Sequence, residues 1–233
     1  MYARLLAALC LLSCSVNVGR SEPMRALGSQ VEVYLKAEAD DSSLPIRAMQ
    51  AEMNALLAPA GFSLRWVKTG GMSSLALDQR IVSVELRGSC HSGVDAPGKF
   101  KGYTALASTA IVDGEVLPFT WINCAALNQF LRGKLQSSST QDRDLAYGRA
   151  LGRLLAHEFY HVLARTEDHT SGGVSKARFN VADLLSTRLE FEHAALSHLR
   201  STSLERLQVA SASPESVLGE DSFSSETEAE VSR

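Results

Sequence analysis

The sequence predicts an α+β protein in which a mixed β-sheet packs on one long helix. Three observations carry this expectation: a strand-period segment leading directly into a helix-period one, a run of further strand-period segments around an Asp-Gly pair, and a long helical pattern dense in histidine. The segment VEVYLK sends Val31, Val33 and Leu35 to one side, which is strand alternation. SSLPIRAMQAEMNALLAPAG places Ile46, Met49, Met53 and Leu56 at helical spacing, begins with serines suited to capping and stops at Pro59 and Gly61. FSLRWV (Phe62, Leu64, Trp66) and IVSVELR (Val82, Val84, Leu86) alternate again. Between Ala105 and Asn123, two β-like stretches flank Asp113-Gly114, whose tolerance of positive φ favours a two-residue hairpin turn; Pro118 weakens the second stretch or sits where no amide is needed. NCAALNQFLRGKL reads as a short helix. The capping residues of SSSTQDRD precede a long helix from about Gln141 to Arg165. TSGGVSK reads as loop, and NVADLLSTRLEFEHAALSHLR as a final helix begun by Asn180.

The chain has 233 residues, 45% of them hydrophobic, enough for one domain with appendages, expected over residues 28–200. A formal charge of -3 offers no broad basic surface, so nucleic acid is not an expected partner. Residues 1–21 carry an early cation at Arg4, an apolar run from Leu5 to Leu12, and then small and polar residues, the pattern of an export signal. That run is too short to span a bilayer, so no transmembrane segment is expected. LLSC, Leu11 to Cys14, resembles a lipobox, which makes a lipid anchor at Cys14 an alternative to ordinary cleavage. The expected location is therefore secreted or in the cell envelope, periplasmic or lipid-anchored in a bacterium. With Cys10 and Cys14 set aside, Cys90 and Cys124 remain, and an oxidising compartment favours a disulfide between them over a metal-ligand thiolate. Residues 211–233, rich in Ser and Glu, bury too little to offset ordering and are expected to be disordered.

The chemistry concentrates in LAHEFYHVLARTEDH, Leu155 to His169. At about 100° per residue, His157 and His161 fall in one sector, while Leu151, Leu155, Phe159, Val162 and Leu163 form a separate apolar arc. Two imidazoles one turn apart can meet one Zn²⁺, and Glu158, slightly aside, can reach a water on that ion without ligating it. Such a carboxylate takes a proton from the attacking water and returns it to a leaving amine, the His-Glu-x-x-His logic of metallopeptidases. The alternative is a solvated, metal-free helical face. Gly148 and Gly152 lie near the middle of the apolar arc, where close approach to a sheet would explain them.

With this motif the chain resembles the zincin superfamily, and within it the metzincins, which place His-Glu-x-x-His-x-x-Gly-x-x-His on a long helix after a mostly parallel five-stranded sheet with an antiparallel edge strand. The resemblance implies a zincin-like catalytic domain and an exported zinc-dependent metallopeptidase acting on a peptide or protein substrate, with Glu158 as general base. Ala164 stands where the family has its turn glycine, Glu167 where it has its third histidine, and all five methionines lie at or before Met72, so the Met-turn is missing. His169, two residues late, is the favoured third ligand beside His157 and His161, since neutral imidazole suits zinc. Asp168 and Glu167 are alternatives as ligands or as groups orienting one. Glu190 or Glu192, in the manner of gluzincins, is a weaker option.

His193 and His198 diverge by about 140° on a helix and read as solvated; His91 carries no assigned role. Tyr160 or Arg165 can stabilise an oxyanion, though packing suits the tyrosine equally. A peptide-deformylase-like site would use Cys124 as a ligand. A non-enzymatic envelope protein with a structural or partner-binding zinc site is the remaining alternative, distinguished by a fourth protein ligand. Specificity is expected from the hairpin between Ala105 and Phe119 and the loop after His169.

Overall fold

The computed structural model describes residues 29–37, 43–68, 80–92, 105–136 and 138–211, with side chains through residue 203. The expected export signal, Cys10, Cys14 and the tail beyond Ser211 lie outside the described residues. The protein is mixed α/β, built on one five-stranded mixed sheet. Its strands are β1 (Ser29–Ala37), β2 (Phe62–Lys68), β3 (Arg80–Arg87), β4 (Ala107–Val112) and β5 (Glu115–Asn123), in spatial order β2-β1-β3-β5-β4. Four strands run parallel, and β4 alone pairs antiparallel, at one edge.

Alternation explains which face of the sheet is covered. Val31, Val33, Val82, Val84, Leu86 and Ile122 are all buried in one core. Against it pack α1 (Leu44–Leu57), through Ile46, Met49 and Met53, and α3 (Thr140–Ala164), through Leu151, Leu155 and Phe159. Ser43 occupies the N-cap of α1 without a side-chain capping bond, and a 3-10 turn (Ala58–Ala60) closes that helix at Gly61. Asn123 and Ser139 do cap: their side chains accept from Ala126 N at the start of α2 (Cys124–Leu135) and from Asp142 N at the start of α3. Asp113 and Gly114 both take positive φ, 52° and 79°, as a tight β4–β5 turn requires. Beyond that turn the register slips: Ile111 faces Val116 but Thr109 faces Thr120, so Pro118 falls in the bulge.

Two expectations need correction. Gly148 and Gly152 abut α1 and not the sheet. A Cβ on Gly152 would lie 2.8 Å from Glu52 Cβ and 2.9 Å from Met49 O, and one on Gly148 would collide with Pro45 O. The missing side chains let α1 and α3 cross in direct contact. The expected final helix is also two helices, α4 (Val181–Leu185) and α5 (His193–Ser211). Asn180 does cap α4, in a reciprocal pair with Asp183. The break follows from competing bonds: Arg153 Nη1 donates to the carbonyls of Asp183, Leu184 and Ser186, and Val174 N–H takes the Glu190 carbonyl. Among the described residues no helix is long and apolar enough to cross a membrane.

Arg153 is 1% exposed, and its Nε also pairs with Glu52 at 2.7 Å, so one guanidinium joins α1, α3 and the end of α4. Arg153→Met should strand Glu52 and three carbonyls, costing about 3–5 kcal/mol in urea unfolding. Cys90, beyond β3, is disulfide-bonded to Cys124, the first residue of α2, across a sequence separation of 34. Loop-closure entropy for a ring of that length predicts a loss of about 4 kcal/mol on reduction, measurable as a lower denaturation midpoint with reductant present.

Candidate metal centre

α3 lays His157 and His161 one turn apart on its flank, 8% and 7% exposed, while its neighbouring arc is committed to the core. Each imidazole is oriented by a backbone carbonyl. His157 Nδ1 lies 2.9 Å from Val174 O, and His161 Nδ1 lies 2.7 Å from Thr166 O. A carbonyl can only accept, so both Nδ1 atoms carry the proton and both Nε2 atoms present lone pairs. Those two Nε2 atoms are 3.2 Å apart. Neither has a proton to give the other, whereas two imidazoles on one tetrahedral zinc have nitrogens separated by about 3.3 Å.

His169 completes the group: its ring lies 5.1 Å from that of His157 and 4.8 Å from that of His161, and the three candidate ligand atoms lie within 4.8 Å of one another. This cluster could hold a metal ion, and the donor set of three imidazoles suits one. Glu167 and Asp168, both exposed, stand outside it. The chain path accounts for that choice. α3 stays helical through Ala164, and the left-handed residue is Arg165 (φ 50°, ψ 47°), whose N–H donates to His161 O. The turn thus comes one residue after Ala164, the last residue of α3, and the imidazole follows at His169.

The loop after His169 is a built support. Thr170 N–H donates to Ser175 O, and Val174 N–H to Glu190 O. Gly173, at φ 66°, sits where a Cβ would lie 3.0 Å from Glu192 N, so a side chain there would push the loop off its neighbour. Phe179 packs edge-on against His157, with ring centroids 5.5 Å apart.

Burial is the main cause of the imidazoles' electrostatics. It pushes the His157 pKa down to about 4, against the opposing pull of the Val174 carbonyl, and lowers that of His161 as well. Both rings therefore stay neutral through the range in which a metal ligand must be unprotonated. Glu158 is 6% exposed, and burial raises its carboxyl to about 7 against the lowering effect of Thr109. Thr109, on the core face of β4, donates to Glu158 Oε2 at 2.7 Å and lies 3.2 Å from the Glu158 carbonyl.

The remaining sequence candidates lie elsewhere. Cys124 is tied to Cys90, so its sulfur is not a ligand. Glu190 pairs with Arg188, and Glu192 accepts from Ser171. His193 opens α5, and the His198 ring meets Tyr160 at 6.2 Å. Tyr160 is buried against Phe191, and burial first, then Asp168, raises its pKa. Arg165 is exposed at the helix end. The His91 carbonyl accepts from Asn128. Thr109, Val174, Thr166 and Phe179 escaped the sequence reading, since only folding brings them to the motif. The Asp-Gly hairpin was the one signal that aimed β4 anywhere. No family model matches the chain, and no curated protein matches it.

Glu158 ties this site to stability. Its folded pKa, about 7, lies above the ordinary 4.5, so its stabilising contribution is complete below about 4.5 and is lost as pH rises through 7. Glu158→Gln, which buries no charge, should stabilise the metal-free protein at pH 8 by up to about 3 kcal/mol. In denaturant titrations the gain should vanish near pH 4.

Proposed function

We propose that this chain is an exported zinc-dependent peptidase of zincin-like fold, in which His157, His161 and His169 hold the ion and Glu158 is the general base. The observation that carries the proposal is the 3.2 Å approach of two unprotonated Nε2 atoms, each aimed by a carbonyl behind its ring. Neutral imidazoles pressed together in this way repel unless a cation lies between them. The fold supports the reading: a sheet of four parallel strands with one antiparallel edge strand precedes the helix that carries the motif, the layout the resemblance implies.

A zinc ion in this cluster supplies Lewis acidity, polarising a substrate carbonyl and acidifying a water. The chain's own residues do the rest. The Val174 and Thr166 carbonyls keep both rings in the ligating tautomer. Glu158, poised near 7 by burial, can accept the proton of the attacking water and give it to the departing amine nitrogen without a large penalty in either direction. A structural zinc site would close its tetrahedron with a fourth protein ligand, and among the described residues the cluster contains three candidates. His169 is exposed, which leaves that side of the site open to a substrate.

Purified protein should bind one zinc per chain by elemental analysis and cleave a fluorescence-quenched peptide library, with activity lost to a chelator. Glu158→Gln should retain the metal and lose about 10²- to 10⁴-fold in kcat. His157→Ala should lose the metal itself. Undiminished hydrolysis by the glutamine variant would remove the role assigned to Glu158.

A further inference from the structure

We infer that Thr109, on the edge strand β4, is the positioning residue for Glu158, an inference resting on the reading of Glu158 as general base. The Thr109 hydroxyl has a single proton, and both acceptors within reach belong to Glu158: carboxylate Oε2 at 2.7 Å and the main-chain carbonyl at 3.2 Å. A contact spanning side chain and main chain of one residue fixes the carboxylate relative to the helix that carries it. Oε1 has no hydrogen-bond partner among the described residues. One oxygen is thereby anchored to the sheet, and the other is left for proton traffic.

The surroundings indicate that this bond is more than incidental satisfaction of a core hydroxyl. Thr109 is directly opposite Thr120 in the β4–β5 ladder, and both are at least nine-tenths buried. The Thr120 hydroxyl has no partner among the described residues, so this layer tolerates an unsatisfied threonine, and its neighbour is nevertheless aligned on Glu158. The register shift begins just after Thr109, between it and Ile111. Thr109 is thus the last β4 residue before the register shift, beyond which Ile111 and Val112 pair with Val116 and Glu115 in a different register. Without the hydroxyl, the glutamate has no described side-chain donor and its carboxylate is free to rotate away from the imidazoles.

The test uses Thr109→Val, which keeps the shape and removes the proton, Thr109→Ser, which keeps the proton, and Thr109→Val combined with Glu158→Ala. In urea unfolding of the metal-free full chain at pH 8, the valine variant should lower the midpoint in the wild-type background and have no effect in the Glu158→Ala background. Equal losses in both backgrounds would overturn the inference. In the zinc-loaded protein, valine should reduce kcat on the quenched peptide library by roughly 10- to 100-fold with KM unchanged, the scale expected when a reacting group is misplaced by about 1 Å, and serine should restore it. Zinc affinity in chelator competition should be the same for all three Thr109 forms. A kcat equal to wild type, a loss that serine fails to rescue, or an effect confined to KM would each refute a positioning role. If the wild-type chain cleaves no peptide, the general-base reading falls, and the stability cycle still decides whether Thr109 holds the carboxylate.

Discussion

Because Val174 and Thr166 present carbonyl oxygens to the Nδ1 atoms of His157 and His161, the two rings must carry their protons there and turn bare Nε2 atoms toward each other. Much of the local architecture is arranged around those two acceptors. Thr166 lies just beyond the left-handed turn at Arg165, so the helix ends where its carbonyl can fold back onto His161. Val174 is held by the Glu190 carbonyl, in a loop whose Gly173 leaves no room for a side chain. That same use of Glu190 is one reason the chain between α4 and α5 is not helical.

The second constraint is the docking of α3 on α1. Gly148 and Gly152 remove the side chains that would separate the two helices, and Arg153, next in the chain, is sealed between Glu52 and the carbonyls at the end of α4. Glycine in a helix interior costs about 1 kcal/mol relative to alanine, so the close crossing has to return that much in packing. Its consequence is a firmly anchored helix beside the histidine cluster. The helix that bears His157 and Glu158 is clamped one turn earlier by a buried guanidinium, and its other flank is fixed by the sheet core.

Burial then gives the site its proton chemistry. The same desolvation lowers the imidazoles and raises the carboxyl, because in each case the charged form loses water. Neutral imidazoles and a carboxyl that titrates near neutrality are thus products of one environment. Thr109 tempers the effect on Glu158 with a single charge-assisted bond from the edge strand, which links the sheet to the carboxylate.

Local periodicity located β1, β2, β3, α1 and α3, because Val31, Met49, Val82 and Leu151 repeat with the spacing of the faces they bury, and the Asp113-Gly114 turn signal located β4 and β5. The i, i+4 spacing likewise put His157 and His161 on one flank of α3, a property of the helix that needs no tertiary contact. The partner of Gly152, the break between α4 and α5, the left-handed turn at Arg165 that precedes His169, and the contact between Thr109 and Glu158 were not legible there. Each depends on groups far apart in the chain: Gly152 on Glu52, α4 on Arg153, the exit from α3 on a left-handed Arg165, and Glu158 on a strand 49 residues earlier. Spacing within a segment fixes which side chains share a face. What stands opposite that face is set by packing and by backbone hydrogen bonds between distant segments, and only the tertiary structure decides those.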